Sequence, residues 1–308
     1  MKLMERKLLS DADTSSTGVI KYTKQRYLEK GMQFLFLLCA CVSILAIVLI
    51  CWFMFKNGLP AIAEIGLGDF LGNENWKPLD DNAQYGILSM ILGSLYVTAG
   101  AVIVGVPIGL LMAIFMAKFC PAGLYKILKP PINLLAGIPS IVYGFFGMCV
   151  IVPFVRDYIG GDGNSILTAS ILLGMMILPT VESLSETSIK AVSQSYYEGA
   201  LALGATHERA VSTVIVPAAK SGILSSIILG IGRAIGETMA VIMVAGNQPR
   251  IPDNILKGVR TLTANIVTEM SYATGLHYDA LIATGVVLFV FILLLNLSLN
   301  LITNKKEV

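Results

Sequence analysis

Long apolar stretches alternate with short polar stretches along most of this chain. A helix that crosses a membrane needs about 20 mainly apolar residues, so each long apolar stretch is a predicted span. The pattern predicts six spans, at residues 32–55, 85–117, 132–152, 165–178, 221–245 and 279–302. It therefore predicts an all-α integral membrane protein with six transmembrane helices.

Polar segments define the rest of the organisation. Residues 11–18 are expected to be disordered. Residues 182–220 form a polar segment of helical character, after a fourth span that is expected to end at Pro179. The chain then divides into a basic tail, a transmembrane domain and a short C-terminal tail, at residues 1–30, 31–303 and 304–308.

Composition supports a membrane protein. Hydrophobic residues make up 55% of the chain and charged residues 14%, whereas soluble domains have about 25% charged residues. The five cysteines are an odd number without a framework spacing, so no structural disulfide is expected. His207 and His277 have no cysteine near them, and no metal site is expected.

The distribution of positive charge predicts the orientation. The side that holds the N-terminus carries 15 Lys and Arg residues in its tails and loops, and the other side carries six. Cytoplasmic loops are enriched in these residues, so both termini are predicted to be cytoplasmic.

Arg233 and Glu237 interrupt the fifth predicted span. A charge at membrane depth costs roughly 2.5–3.5 kcal/mol on insertion scales, so such residues usually have a function. In a continuous helix the two residues share one face, and a buried ion pair that only holds helices together is the structural alternative. The guanidinium offers a planar fork of donors that suits an oxyanion. The hypothesis is an anion path that contains Arg233, Glu237 and Thr238.

Glu237 has two possible roles in this hypothesis. It neutralises Arg233 when no anion is present, and it accepts a hydrogen bond from a protonated phosphate oxygen. Sulfate carries no such proton at neutral pH, so a carboxylate would repel it. Small residues four apart, Gly105 with Gly109 and Gly232 with Gly236, predict close helix packing.

Residues 198–217 carry a second informative pattern. Gly204 is expected to break a short helix, and a second helix is expected to start at an N-cap on Thr206 and to end before Pro217. The spacing resembles the Glu-Ala-Ala loop of ABC importer permeases at Glu198, Gly199, Ala200, Gly204 and Pro217, with Gly199 in place of an Ala. The resemblance implies that this segment docks onto a separate ATPase.

The chain lacks a Gly-x-x-x-x-Gly-Lys-Ser/Thr loop. Gly230, Gly232 and Gly236 imitate a dinucleotide fingerprint, but the spacing is one residue too long and lies in a span. No cofactor is therefore expected on this chain, and ATP and Mg²⁺ are expected on the partner ATPase.

A narrower resemblance covers about residues 25–305. Residues 232–247 and 136–144 resemble the PstC family of phosphate permeases, which has the type I ABC importer permease fold with cytoplasmic coupling helices. The resemblance implies a membrane permease subunit, not an enzyme, for inorganic phosphate in a bacterial or archaeal cell (inner) membrane. It implies a PstA-like second permease, a PstB-like ATPase dimer, a PstS-like extracytoplasmic binding protein and membrane lipid as partners, with no nucleic acid.

Four alternatives remain at this point. The chain could be a permease for another oxyanion, such as sulfate or molybdate, since the coupling loop would look the same. The sister family PstA carries a related Arg-x-x-Gly-Glu stretch. A membrane-embedded enzyme would need a nucleophile–base pair or a metal set within the spans. An ATP-independent anion channel would not need the coupling loop.

Overall fold

A computed structural model describes the backbone of residues 2–304 and the side chains of residues 29–297. The chain divides into two compact units, residues 1–56 and 57–308. In the described part, five helices are long and apolar enough to cross a membrane, or six if one pair bent by 68° counts as a span. The prediction of an all-α membrane protein is confirmed. The predicted C-terminal tail lies outside the described residues, apart from the backbone of Asn304.

The first unit is the N-terminal part of helix α1, Lys2–Ile65. Its described apolar side chains, from Met32 to Ile50, are exposed, as expected for a surface in lipid. The disorder expected at residues 11–18 is not observed, because α1 begins at Lys2. Extending a formed helix by ordinary polar residues costs at most about 0.7 kcal/mol each, so the helix passes through this segment.

The second unit contains the other elements. After α1 come α2 (Leu67–Gly72), strands β1 (Trp76–Lys77) and β2 (Gln84–Tyr85), α3 (Leu88–Ile114), α4 (Ala122–Gly137), α5 (Ser140–Phe146), α6 (Val152–Tyr158) and α7 (Ile166–Ala191). They are followed by α8 (Gln194–Ala202), α9 (His207–Ala210), α10 (Val216–Ala218), α11 (Lys220–Gly236), α12 (Met239–Val244), α13 (Leu262–Glu269) and α14 (Leu276–Asn304). Single π-helical turns at Phe115–Phe119, Gly147–Ile151 and Val211–Ile215 join neighbouring helices. β1 and β2 pair antiparallel, with Trp76 opposite Tyr85.

Helices α3 and α7 form the centre of the second unit. A Cβ added at Gly105 would lie 2.6 Å from the carbonyl oxygen of Gly174, and one added at Gly109 would lie 3.1 Å from Val181. The close packing predicted for these two glycines is therefore confirmed. Gly232 and Gly236 differ, because an added Cβ would meet nothing within 4 Å at either position.

The third predicted span, residues 132–152, is interrupted. Helix α4 ends at Gly137, and Ile138 is extended at φ −69° and ψ 127°. The residue before a proline avoids the α conformation, so Pro139 ends one helix and starts the next. The apolar run that can cross the membrane is Ser140–Tyr158, made of α5, the π-helical turn and α6.

The fourth predicted span continues beyond Pro179. Helix α7 runs for 26 residues with Pro179 buried inside it. Proline frees the carbonyl of the residue four positions before it, and packed membrane helices tolerate that change. The polar residues that follow Pro179 therefore extend the same helix towards residues 194–218.

The second helix of the polar segment also continues further than expected. It starts at the Thr206 N-cap, but Pro217 lies in the first turn of α10 and does not end the helix. The helix ends at Ala218, one residue after the proline rather than before it. The chain bends only at Ala219, before α11.

Candidate functional site

The fifth predicted span is broken where its charged residues lie. Helix α11 ends at Gly236, and α12 begins at Met239. Between them Glu237 is extended, at φ −70° and ψ 130°, and Thr238 has φ −120° and ψ −58°. The continuous span predicted at residues 221–245 is therefore wrong at residues 237–238.

Local side chains satisfy the backbone groups at this break. Glu237 Oε1 accepts hydrogen bonds from the amides of Thr238 and Ala240, both at 3.2 Å. Thr238 Oγ1 donates to the carbonyl of Gly236 at 3.3 Å, and Thr263 Oγ1 donates to the carbonyl of Glu237 at 3.1 Å. An unpaired backbone group in a membrane costs several kcal/mol, so these bonds allow the break to exist.

Arg233 and Glu237 do not share a helical face, contrary to the sequence-based expectation. Glu237 lies beyond the end of α11, and its carboxylate points to the start of α12. Within the described residues, no ion pair joins the two side chains. The buried ion pair that was the structural alternative is therefore absent from this arrangement.

Arg233 lies on the open side of α11. Its side chain is exposed, whereas Ala234 and Ile235 are buried. Among the side chains at positions 29–297, none forms a hydrogen bond or ion pair with Arg233. The guanidinium thus keeps its donors available beside the break, on the surface where Gly232 and Gly236 also face open space.

A second polar cluster lies after α12. The carboxylate of Glu269, at the end of α13, accepts hydrogen bonds from Arg260 Nη1 at 2.5 Å and from Trp76 Nε1 at 2.7 Å. His277 Nε2 lies 2.9 Å from its Oε2 atom. Arg260 Nε also donates to the carbonyl of Asn247 at 3.0 Å. The cluster attaches the segment after α12 to β1 and to the start of α14.

Sequence reasoning did not find this cluster. Trp76 and Glu269 are 193 positions apart, so no local spacing indicates their contact. Tyr272 lies beside the cluster, and partial burial together with the Glu269 carboxylate raises the pKa of its phenol.

The predicted coupling segment forms α8, α9 and α10. Glu198 and Gly199 are exposed on α8, Ala200 is half-buried, and Pro217 is exposed on α10. Gly204 has φ +85°, a conformation that favours glycine, and it ends α8 as predicted. Thr206 Oγ1 accepts a hydrogen bond from the amide of Arg209 at 3.4 Å, so the predicted N-cap is confirmed.

The tip of this segment is apolar. Leu203 is 92% exposed, and Leu201 and Tyr196 are also exposed. On the inner side, Tyr197 Oη lies 2.8 Å from His207 Nδ1, and the His207 ring packs 4.7 Å from the ring of Phe119. These contacts fix α8 and α9 to the end of the α3 helix and leave Leu203 free to meet another surface.

A third polar cluster joins α4 to α7. Lys129 Nζ lies 3.2 Å and 3.1 Å from the two carboxylate oxygens of Glu182, and it also pairs with Glu186. Lys190 Nζ lies 2.6 Å from the other oxygen of Glu186 and 4.2 Å from the centre of the Tyr125 ring. Glu182, Glu186 and Lys190 follow an i, i+4, i+8 spacing that the sequence shows, but only the fold brings Lys129 to them.

Comparison with known proteins agrees with this architecture. Residues 105–306 match the family described as "Binding-protein-dependent transport system inner membrane component". The chain belongs to this family. Membership implies a substrate-binding protein, a second permease and an ATPase as partners, and it supports a multi-pass position in an inner membrane.

Two relatives cover most of the chain. A "Probable ABC transporter permease protein YqgH" of Bacillus subtilis is 38% identical, over 88% of this chain and 89% of the relative. A "Phosphate transport system permease protein PstC" of Haemophilus influenzae is 32% identical, over 93% of this chain and 97% of the relative. A solved bacterial ABC transporter for alginate import shares the fold, with a TM-score of 0.61 at 14% identity over 87% of this chain and 96% of that one.

The polar cluster at Glu269 yields a stability prediction. Replacing Glu269 with Gln leaves Arg260 partly buried without a counter-ion, and we expect a loss of about 3–5 kcal/mol. Thermal unfolding of the purified protein in detergent measures the change. The matched control is Asp80→Asn. The side chains of Lys77 and Asp80 are each 60% exposed and their charged atoms lie 3.8 Å apart, so this surface ion pair contributes little stability. Equal unfolding temperatures for the two variants would contradict the prediction.

Proposed function

We propose that this chain is the PstC-type permease subunit of an ATP-driven importer of inorganic phosphate. The observation that carries the proposal is Arg233, an unpaired guanidinium within the described residues, beside a break in a membrane span. An arginine without a counter-ion at membrane depth suits a path for an oxyanion. The phosphate permeases among the relatives support phosphate as that oxyanion.

Arg233 contacts the anion in this proposal, and Glu237 and Thr238 shape the place where it does so. Glu237 Oε1 is occupied by two amides, whereas its Oε2 has no hydrogen bond within the described residues. A carboxylate oxygen can only accept, so it favours an anion that carries an O–H group. Phosphate has such a group at neutral pH and sulfate does not.

The coupling segment docks onto the partner ATPase. Its tip presents Leu203 and Leu201, exposed and apolar, between Glu198 and Pro217. Exposed apolar side chains of this kind are typical of a protein contact. In this proposal the ATPase dimer of the PstB type holds ATP and Mg²⁺, and this chain is a permease subunit that binds no nucleotide and is not an enzyme.

The remaining partners follow from the same arrangement. Gly232, Gly236 and Arg233 face open space, which suits a PstA-like second permease across the path. A PstS-like binding protein delivers phosphate at residues 56–84 and 247–278 on the extracytoplasmic side. Both termini lie in the cytoplasm, as the excess of Lys and Arg on that side supports.

The role of Arg233 is tested by conservative replacement. Lysine keeps the charge but not the planar fork, so we expect Arg233→Lys to reduce phosphate uptake roughly 10- to 100-fold, the equivalent of one charged hydrogen bond. Uptake of labelled phosphate is measured in cells, with co-purification of the ATPase as the control for assembly. Wild-type uptake by an assembled Arg233→Lys complex would exclude bidentate contact with the anion.

The role of Glu237 is tested through selectivity. Glutamine at this position keeps the size of the side chain and removes the charge that repels sulfate. We expect Glu237→Gln to lower the preference for phosphate over sulfate or molybdate by about tenfold. Competition of unlabelled oxyanions against labelled phosphate measures the preference. An unchanged ratio would show that Glu237 acts only through the break between α11 and α12.

The coupling proposal is tested at Leu203. Aspartate there places a charge in the apolar contact, and we expect Leu203→Asp to weaken ATPase binding at least about tenfold. Leu203→Met keeps the apolar surface and is the matched control. The amount of ATPase that co-purifies with the permease is the measurement. If both variants retain the ATPase equally, the tip of the segment is not the docking surface.

A further inference from the structure

The cluster of Lys129, Glu182, Glu186 and Lys190 has properties that the proposed function does not use. Glu182 has 0% of its side chain exposed, Glu186 has 4% and Lys129 has 17%. A buried ion pair contributes little net stability, because desolvation of its charges offsets their attraction. It does, however, fix the position of one element on another, because breaking it leaves a buried charge without a partner.

The element that is fixed in this way is α4. Within α4, all of which lies in the described part of the chain, Ile132 alone is buried. Leu124, Ile127, Leu134 and Leu135 are exposed on the same helix. Apolar packing therefore holds α4 to the rest of the second unit only weakly. Its specific contacts with α7 are the ion pairs of Lys129 and the Lys190 ammonium on the Tyr125 ring.

α4 leads directly to the candidate anion path. A hydrogen bond joins the end of α4 to α5 across the Ile138–Pro139 break, because Tyr143 Oη of α5 donates to the carbonyl of Leu135 at 2.9 Å. α5 in turn packs closely on α12, because a Cβ added at Gly144 would lie 2.7 Å from Met243 Sδ and 3.0 Å from Ala240 Cα. The amide of Ala240 is one of the two that bind the Glu237 carboxylate.

The other side of the cluster leads to the coupling segment. Glu186 lies five residues before the end of α7 at Ala191, which corresponds to about 7.5 Å of helix. α7 is continuous up to Ala191, and α8 begins after a short turn at Val192 and Ser193. A displacement of α8 that moves the end of α7 also moves Glu182 and Glu186, because both carboxylates lie on that same helix.

We infer that Lys129 is a positioning residue that transmits movement of the coupling segment, through α4 and α5, to the break at Glu237. The ammonium joins α4 to α7 by ion pairs, Pro139 lets α4 and α5 change their relative angle, and α12 carries the change to the anion path. The inference rests on the proposed function, since it specifies how ATPase docking controls that same path.

The test uses the complete transporter, this permease with its partner subunits, in lipid vesicles. The variant is Lys129→Met combined with Glu182→Gln, which removes both charges and leaves Glu186 paired with Lys190. We expect ATP hydrolysis to continue while phosphate uptake per ATP falls about tenfold, a typical coupling between sites. The matched control is Lys126→Met, an exposed lysine one turn earlier on α4, which keeps wild-type coupling.

A second readout does not depend on the substrate. Gly137→Cys, in a chain whose five natural cysteines are replaced by alanine, is labelled with a maleimide with and without ATP. An added side chain at Gly137 meets nothing within 4 Å, so the new thiol is open to the reagent. We expect ATP to change the labelling rate in the otherwise unaltered chain and in Lys126→Met, but not in the double variant.

The outcomes separate the two claims. Unchanged uptake per ATP and an unchanged ATP response of labelling in the double variant would overturn the inference. If the unaltered transporter does not take up phosphate, the proposed function fails, and the labelling readout still decides the inference. If the double variant does not assemble, the charge swap Lys129→Glu with Glu182→Lys replaces it in the labelling experiment. A wild-type effect of ATP on the labelling of Gly137→Cys in the swapped chain supports the link between α4 and α7 through this ion pair. Loss of the effect contradicts it.

Discussion

A helix that breaks inside a membrane must satisfy the backbone groups that the break exposes, and the arrangement around residues 236–238 depends on this constraint. One oxygen of Glu237 binds two amides of the following helix, and the hydroxyl of Thr238 binds the last carbonyl of the preceding one. Thr263 attaches the same point to α13. The carboxylate is therefore part of the backbone architecture, and it is held away from Arg233.

This constraint makes Arg233 more informative than the sequence alone suggested. Arg233 lies in the last turn of α11, where the helix dipole stabilises a cation by about 0.3–1 kcal/mol. That is less than the roughly 2.5–3.5 kcal/mol that an arginine costs at membrane depth. Since Glu237 forms no ion pair with Arg233 among the described residues, the proposed oxyanion path is what supplies a counter-charge to the guanidinium.

Much of the fold could be predicted from the sequence, because apolar runs, N-caps and glycine turns are local signals. The cap at Thr206 and the turn at Gly204 depend on residues whose geometry is fixed within a few positions. The spacing of Gly105 and Gly109 is likewise local, although the partner on α7 is not. The break at Glu237 was missed, because Arg and Glu four residues apart fit a continuous helix equally well.

The polar clusters were missed for a different reason. The contact of Trp76 with Glu269 and the contact of Lys129 with Glu182 join residues far apart in sequence, so they exist only once the helices have packed. A proline can end a helix or be absorbed by it, and sequence does not decide between them. Pro139 ends α4, whereas Pro179 is buried within α7, where packing around the helix compensates for the lost hydrogen bond.

The way in which the helices are held suggests how the second unit combines a firm centre with movable parts. α3 and α7 meet through glycines at near-contact backbone distance, where van der Waals packing is dense and any displacement is resisted. α4 and the segment after α12 are instead held by ion pairs and hydrogen bonds of a few side chains. Such contacts define position with little net stability, and these elements can change arrangement where their charges exchange partners, because a buried charge left unpaired is costly. The proposed anion path, at the junction of α11 and α12, is linked to one of these parts, because Thr263 of α13 donates to the carbonyl of Glu237.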